Sequence, residues 1–126
     1  MASLKYASFI QRAVLPDHKY MENTLKDFFI LHKPRDIVSG DFFWVDKRDD
    51  TVFLAVADCT GHGVPGALMS MLGISMLNEM AGKFKDIPTD EIMGELRDQM
   101  IAALRQTGEK DEAKDGIELG LVAINT

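Results

Sequence analysis

Apolar residues recur at helical spacing from Ser3 to Leu15, at Leu4, Ala7, Ile10 and Val14, and Pro16 stops the pattern. Asp17 to Asn23 is polar and reads as linker. Leu25 to His32, centred on Phe28-Phe29-Ile30-Leu31, is dense in β-forming residues and predicts a strand that Pro34 ends. Two further β-rich runs follow. Phe42 to Val45 and Thr51 to Ala57 are separated only by the charged segment Asp46 to Asp50, which predicts a hairpin. From Val64 to Phe84 the chain is apolar on most sides, with small residues Gly66, Ala67, Ser70 and Gly73 on one stripe, as expected of a helix buried on most sides. Its methionines read as core filler. After Pro88, Thr89 is the expected N-cap of a helix running to about Gln106, with Met93, Leu96, Met100 and Leu104 inward and Gly108 beyond its end. Glu109 to Lys114 is a charged, solvated loop, and Ile117 to Ile124 alternates as a last strand. The order α-β-β-β-α-α-β, with antiparallel neighbours and helices to one side, predicts an α+β sandwich rather than a doubly wound parallel sheet.

The hairpin brings the first chemistry into view. If Asp49 and Asp50 form the turn, facing residues have numbers that sum to 99, so Val45 meets Leu54, Phe43 meets Val56 and Asp41 meets Asp58. Two carboxylates directly opposite each other are unfavourable in a sheet, and such a pair suggests a cation between them. A slip of one residue would send the two side chains to opposite faces. Trp44, Phe42 and Phe43 read as core.

Asp58 also opens Asp58-Cys59-Thr60-Gly61-His62-Gly63-Val64-Pro65-Gly66, between the most apolar strand and the longest helix. Gly61, Gly63 and Gly66 satisfy G-x-G-x-x-G, the dinucleotide fingerprint. The surroundings oppose that reading, because Asp58 would crowd a pyrophosphate and the preceding strand belongs to a hairpin. No Lys-Ser or Lys-Thr pair follows the glycines, which excludes a Walker loop. A hard divalent cation suits the residues better: Asp58 supplies a carboxylate, the turn can aim the Cys59 carbonyl, and Asp41 can hold a second ion or its waters. Cys59 is a poor nucleophile, since Asp58 beside it opposes thiolate formation. His62 reads as an exposed loop histidine and Arg35 as a solvated loop arginine, each with a possible approach to substrate as the alternative.

Composition narrows the partners. The 126 residues carry a net charge of −6, which argues against nucleic acid and anionic membrane and is compatible with cation binding. The single cysteine excludes an intramolecular disulfide and a cysteine zinc cluster, and a reducing, cytoplasmic setting is expected. No signal peptide or membrane-spanning run is legible.

Ser39-Gly40-Asp41 together with Asp58-Cys59-Thr60-Gly61-His62-Gly63-Val64-Pro65-Gly66-Ala67 resembles the SpoIIE-type branch of the PPM metal-dependent serine/threonine phosphatases, relatives of protein phosphatase 2C. The resemblance runs from about Ala7 to Ile124. It implies antiparallel sheets flanked by helices and a centre of two Mn²⁺ or Mg²⁺ ions that activates water against phosphoserine or phosphothreonine. By resemblance Asp58 bridges the metals, Cys59 lends its carbonyl where the family often has glycine, and Asp41 serves the metal shell. Further metal carboxylates lie in the C-terminal half of such domains. Asp115-Gly116 precedes its strand instead of ending one and is not given that role. The expectation is therefore a helix at residues 1–16, which could connect to an upstream sensor module, and the N-terminal portion of a phosphatase domain over residues 17–126, with an incomplete metal site. The implied substrate is a regulatory phosphoprotein such as an anti-anti-sigma factor, and the parent protein could be membrane-tethered. A non-catalytic regulatory or interaction module with the same fold is the alternative, and a nucleotide-binding protein a distant third. Missing cover over the sheet predicts a homodimer, swapping or aggregation.

Overall fold

The computed structural model describes residues 2–34, 36–105 and 116–126. Its elements in order are α1 (Ala2–Val14), α2 (His18–Thr24), β1 (Asp41–Arg48), β2 (Thr51–Cys59), α3 (Gly63–Met80), α4 (Thr89–Ala103) and β3 (Ile117–Asn125). A 3₁₀ segment, Ala81–Asp86, follows α3. The three strands form one antiparallel sheet in the order β1-β2-β3. The α+β class and the antiparallel sheet are as the sequence predicts.

The register is also the predicted one: Val45 pairs with Leu54, Phe43 with Val56, and Asp41 with Asp58. Asp49 forms the turn with φ of 53°, a conformation that aspartate tolerates better than most residues. Because side chains alternate across a strand, Phe42, Trp44, Phe53, Ala55, Ala57 and Cys59 share the face against α3. Phe84 closes that core with its ring centroid 5.6 Å from Trp44 and 5.4 Å from Phe53, and Trp44 Nε1 donates to Asn78 at 2.9 Å. The buried face of α3 includes Met69, Met76 and Met80 beside Gly66, Ser70 and Gly73, so the methionines are core and the small residues bring the helix close to the sheet. Val64 and Leu68 are exposed, so α3 is less enclosed than its apolarity predicts.

Two predicted elements differ. Residues 17–23, expected as linker, lie mostly in α2, which Met21 anchors in a second cluster with Val45 and Val52 on the opposite face of the sheet. One buried residue is too little pattern to read as a helix in sequence. Leu25 to His32 forms no strand. Its β-propensity needs a ladder, and the outer edge of β1 is already engaged: Ser39 Oγ bonds both backbone groups of Asp41, and the Tyr20 hydroxyl accepts from the N–H of Lys47. The segment lies over the sheet irregularly, with Phe28 inward and Phe29 and Leu31 outward.

Smaller differences lie at the helix ends. The helix after the glycine turn leaves α geometry at Met80, and Phe84 belongs to the 3₁₀ segment. Pro88, not Thr89, caps α4, whose fully buried residue is Ile92. The expected helix end at Gln106 and Gly108, the charged loop Glu109 to Lys114, Asp115 and Arg35 lie outside the described residues.

Candidate active site

Strand β2 ends at the glycine turn because the backbone there leaves the conformations open to ordinary residues: Gly61 has φ of 84° and Gly63 of 64°. The chain then enters α3, which packs back across the sheet. A Cβ on Gly40 would lie 3.2 Å from the carbonyl oxygens of both Cys59 and Gly61, so the loop before β1 and the turn after β2 meet backbone to backbone. The N–H of Cys59 donates to the Gly40 carbonyl at 3.1 Å and closes the hairpin end.

Asp41 and Asp58 stand directly opposite each other at that end, on the face away from α3. Partial burial raises the Asp41 carboxyl above the usual carboxylate range; a hydrogen bond to Asp58 and the charge of Asp58 add to the rise, while nearby His32 opposes it. The pair fits a hard cation by its chemistry: two like-charged oxygen ligands, held on one face, that repel each other without a positive charge between them. Among the described residues no set of three acidic, histidine or cysteine side chains converges into a ligand cluster.

Cys59 is buried, with its thiol pushed up to about 12 by desolvation and by the charges of Asp58 and Asp41. That excludes it as a nucleophile at neutral pH. Its carbonyl faces Gly40, next to Asp41. His62 is exposed and pairs through Nδ1 with Asp36 Oδ2 at 3.2 Å.

Sequence reasoning did not find two parts of this site. Glu118 on β3 lies opposite Asp58, which puts a third carboxylate in the same row across the sheet. Only the β2–β3 pairing reveals it. Gln11 on α1 is buried, donates to the Ser39 carbonyl and to Ser70 Oγ (2.9 Å), and accepts from the Ser39 N–H at 2.8 Å. Ser39 in turn fixes Asp41, so one polar network ties α1, the loop before β1 and α3 to the carboxylate pair. Gln11 falls on the stripe of Leu4 and Ala7, four residues after Ala7, and a polar residue at that position was the available signal. Beside the pair, a groove of about 710 Å³ runs under residues 25–33 and is lined by Phe28, His32, Lys33, Phe43 and Val56 along with the acidic row.

An antiparallel sheet with α3 packed on one face and α2 on the other, and paired carboxylates at the sheet end beside a glycine turn, is the arrangement of a PP2C-like domain. Residues 48–116, more than half of the chain, match the family described as Stage II sporulation protein E (SpoIIE), and the chain belongs to that family. Seven solved chains match it. One of them, the SiaA-PP2C domain of Pseudomonas aeruginosa, is 37% identical with a TM-score of 0.84, covering 98% of this chain. The present chain spans 48% of the length of that one. No curated protein sequence matches.

Proposed function

We propose that this chain carries part of the centre of a metal-dependent protein serine/threonine phosphatase, with Asp58, Asp41 and the Cys59 carbonyl as oxygen ligands for Mn²⁺ or Mg²⁺. The observation that carries the reading is the Asp41–Asp58 pair, face to face at the glycine turn of a SpoIIE-family chain. Bound metal would supply a water of lowered pKa and positive charge to offset that of a phosphoryl group. The chain's own residues do the rest. The two carboxylates would hold the cation, the turn would bring main-chain carbonyls near it, and the Gln11–Ser39 contact keeps Asp41 in place.

The groove beside the pair is open and partly apolar, which suits a phosphoserine or phosphothreonine presented on a regulatory protein. Two ions are expected in a complete domain, so further ligands would have to join the pair. The second reading is a regulatory module that keeps the fold without turnover. No described helix is long and apolar enough to cross a membrane.

Calorimetric titration of Mn²⁺ into the wild type and Asp58→Asn, with phosphate-ester hydrolysis measured on the same samples, separates the readings. Binding that Asp58→Asn abolishes is the expected result, with hydrolysis expected once the remaining ligands have joined the pair. No binding in this chain and none in a longer chain that carries the rest of the domain leaves the regulatory module, whereas binding regained in the longer chain keeps the phosphatase reading.

A further inference from the structure

The last residue of β2, Cys59, pairs with Ile117 of β3, and one step further Thr60 meets Gly116 in a hybrid rung. The N–H of Thr60 donates to the Gly116 carbonyl at 2.9 Å, as a strand residue would. The return bond is different. The N–H of Gly116 donates to Thr60 Oγ1 at 2.8 Å, where an ordinary antiparallel rung would use the Thr60 carbonyl. The same hydroxyl donates to the Gly116 carbonyl at 3.0 Å. Three hydrogen bonds thus tie one residue to the start of β3, and the main-chain carbonyl of Thr60 is left out of the ladder. Strand pairing stops there and the chain turns at Gly61, whose φ is 84°.

The peptide between Cys59 and Thr60 carries this clamp into the site. It is trans, and in a planar trans peptide the C=O and N–H point in opposite directions. Anchoring the Thr60 N–H to β3 therefore aims the Cys59 carbonyl toward β1, where a Cβ on Gly40 would lie 3.2 Å from its oxygen. Asp41 follows Gly40 directly, and Asp58 precedes Cys59. We infer that Thr60 is a positioning residue for the metal centre: its N–H and hydroxyl hold the peptide plane that presents the Cys59 carbonyl beside the carboxylate pair. This role rests on the metal reading of Asp41, Asp58 and the Cys59 carbonyl. Without the hydroxyl, the Gly116 N–H would take the residue-60 carbonyl as its acceptor. That completes an ordinary rung, carries strand pairing one residue into the glycine turn and re-aims the backbone that leads to Gly61.

A matching clamp lies at the far end of the same strand pair, where the N–H and Oγ1 of Thr126 both donate to the Asp50 carbonyl, at 2.7 and 2.8 Å. It is remote from Asp41 and Asp58 and separates positioning from mere stability. Calorimetric titration of Mn²⁺ into the variants is the test. Thr60→Val, which keeps the shape and removes the hydroxyl, should weaken binding about 10- to 100-fold, the usual effect of losing a group that orients a metal ligand. Thr60→Ser keeps the hydroxyl and should bind as the wild type does. Gly116→Pro removes the donor from the other side of the clamp and should reproduce the loss, which covers the case in which Thr60→Val does not fold. Gly116→Ala, whose Cβ would meet no described atom within 4 Å, should not. Thr126→Val should leave Mn²⁺ affinity unchanged whatever it costs in stability. If the wild type binds too weakly to titrate, the same variants are compared in a longer chain that carries the rest of the domain. Unchanged affinity in Thr60→Val, equal losses in Thr60→Val and Thr126→Val, or no rescue by Thr60→Ser would overturn the inference and leave the metal reading standing. No Mn²⁺ binding by the wild type in either chain would instead remove the metal reading, and this role with it.

Discussion

The side-chain amide of Gln11 brackets the backbone of Ser39, accepting from its N–H at 2.8 Å and donating to its carbonyl. Both residues are buried, and their contact spans the gap between α1 and the loop that delivers Asp41. Gln11→Ala would leave the Ser39 backbone groups and Ser70 Oγ short of partners inside the protein. The expected loss is about 1–3 kcal/mol of stability, measured by urea unfolding. Gln11→Glu keeps the shape but cannot donate to the Ser39 carbonyl while ionised, so it should be destabilised near neutral pH and recover in acid.

The acidic pair, unlike the Gln11 contact, is destabilising when no cation is bound. Asp41 is held above the ordinary carboxylate range, so its proton is favoured in the folded state. Stability is therefore lost as pH rises from the ordinary carboxylate range through the raised value. In metal-free protein at neutral pH, Asp58→Asn should raise stability by about 0.5 kcal/mol, the scale of a relieved cross-strand repulsion. The gain should shrink in acid, where the wild-type pair carries less charge. Adding Mn²⁺ should raise the melting temperature of the wild type and leave that of Asp58→Asn unchanged.

Gly66 and Gly73 both sit on the buried face of α3, yet they should respond differently to alanine. A Cβ at Gly66 would come within 2.9 Å of the Gly61 carbonyl oxygen, which belongs to the backbone of the glycine turn and has little freedom to yield. At Gly73 the nearest atom is Ile117 Cδ1 at 2.8 Å, the tip of a side chain that can rotate, although the Phe42 ring lies at 3.0 Å. Alanine's better helix propensity helps both variants equally. Gly66→Ala should be less stable than Gly73→Ala by about 1 kcal/mol in chemical denaturation, and it alone should weaken Mn²⁺ binding.

At the far end of the hairpin, Asp49 pairs with Lys85, and a hydrogen bond to that ammonium lowers the Asp49 carboxyl while Asp49 raises the lysine. The stability this pair contributes is present at neutral pH. It is lost as pH falls through the lowered carboxylate value, and again as pH rises through the raised lysine value. Both groups are solvent-exposed, so the effect should be small and screened by salt. Melting temperatures of the wild type and Lys85→Ala should differ most at neutral pH in low salt and converge in acid.

Local chemistry made much of this protein legible before any coordinates. The hairpin register follows from one turn and period-two alternation, so Asp41 opposite Asp58 was readable at the level of residue pairs. The glycine turn, the apolar helix after it and the Ser39-Gly40-Asp41 motif are likewise local features, and they carried the family resemblance. What the chain order could not state was which surfaces were already engaged. Leu25 to His32 has strand propensity, but Ser39 and Tyr20 occupy backbone groups on the edge it would have used. Residues 18–24 are helical because one methionine, Met21, finds a cluster contributed by both hairpin strands. Glu118 joins the acidic row, and Gln11 reaches Ser39, only after segments 60 and 28 residues distant are brought together. Propensity and periodicity act within a few residues, whereas hydrogen-bond satisfaction and the sharing of buried surface are settled by the whole folded chain.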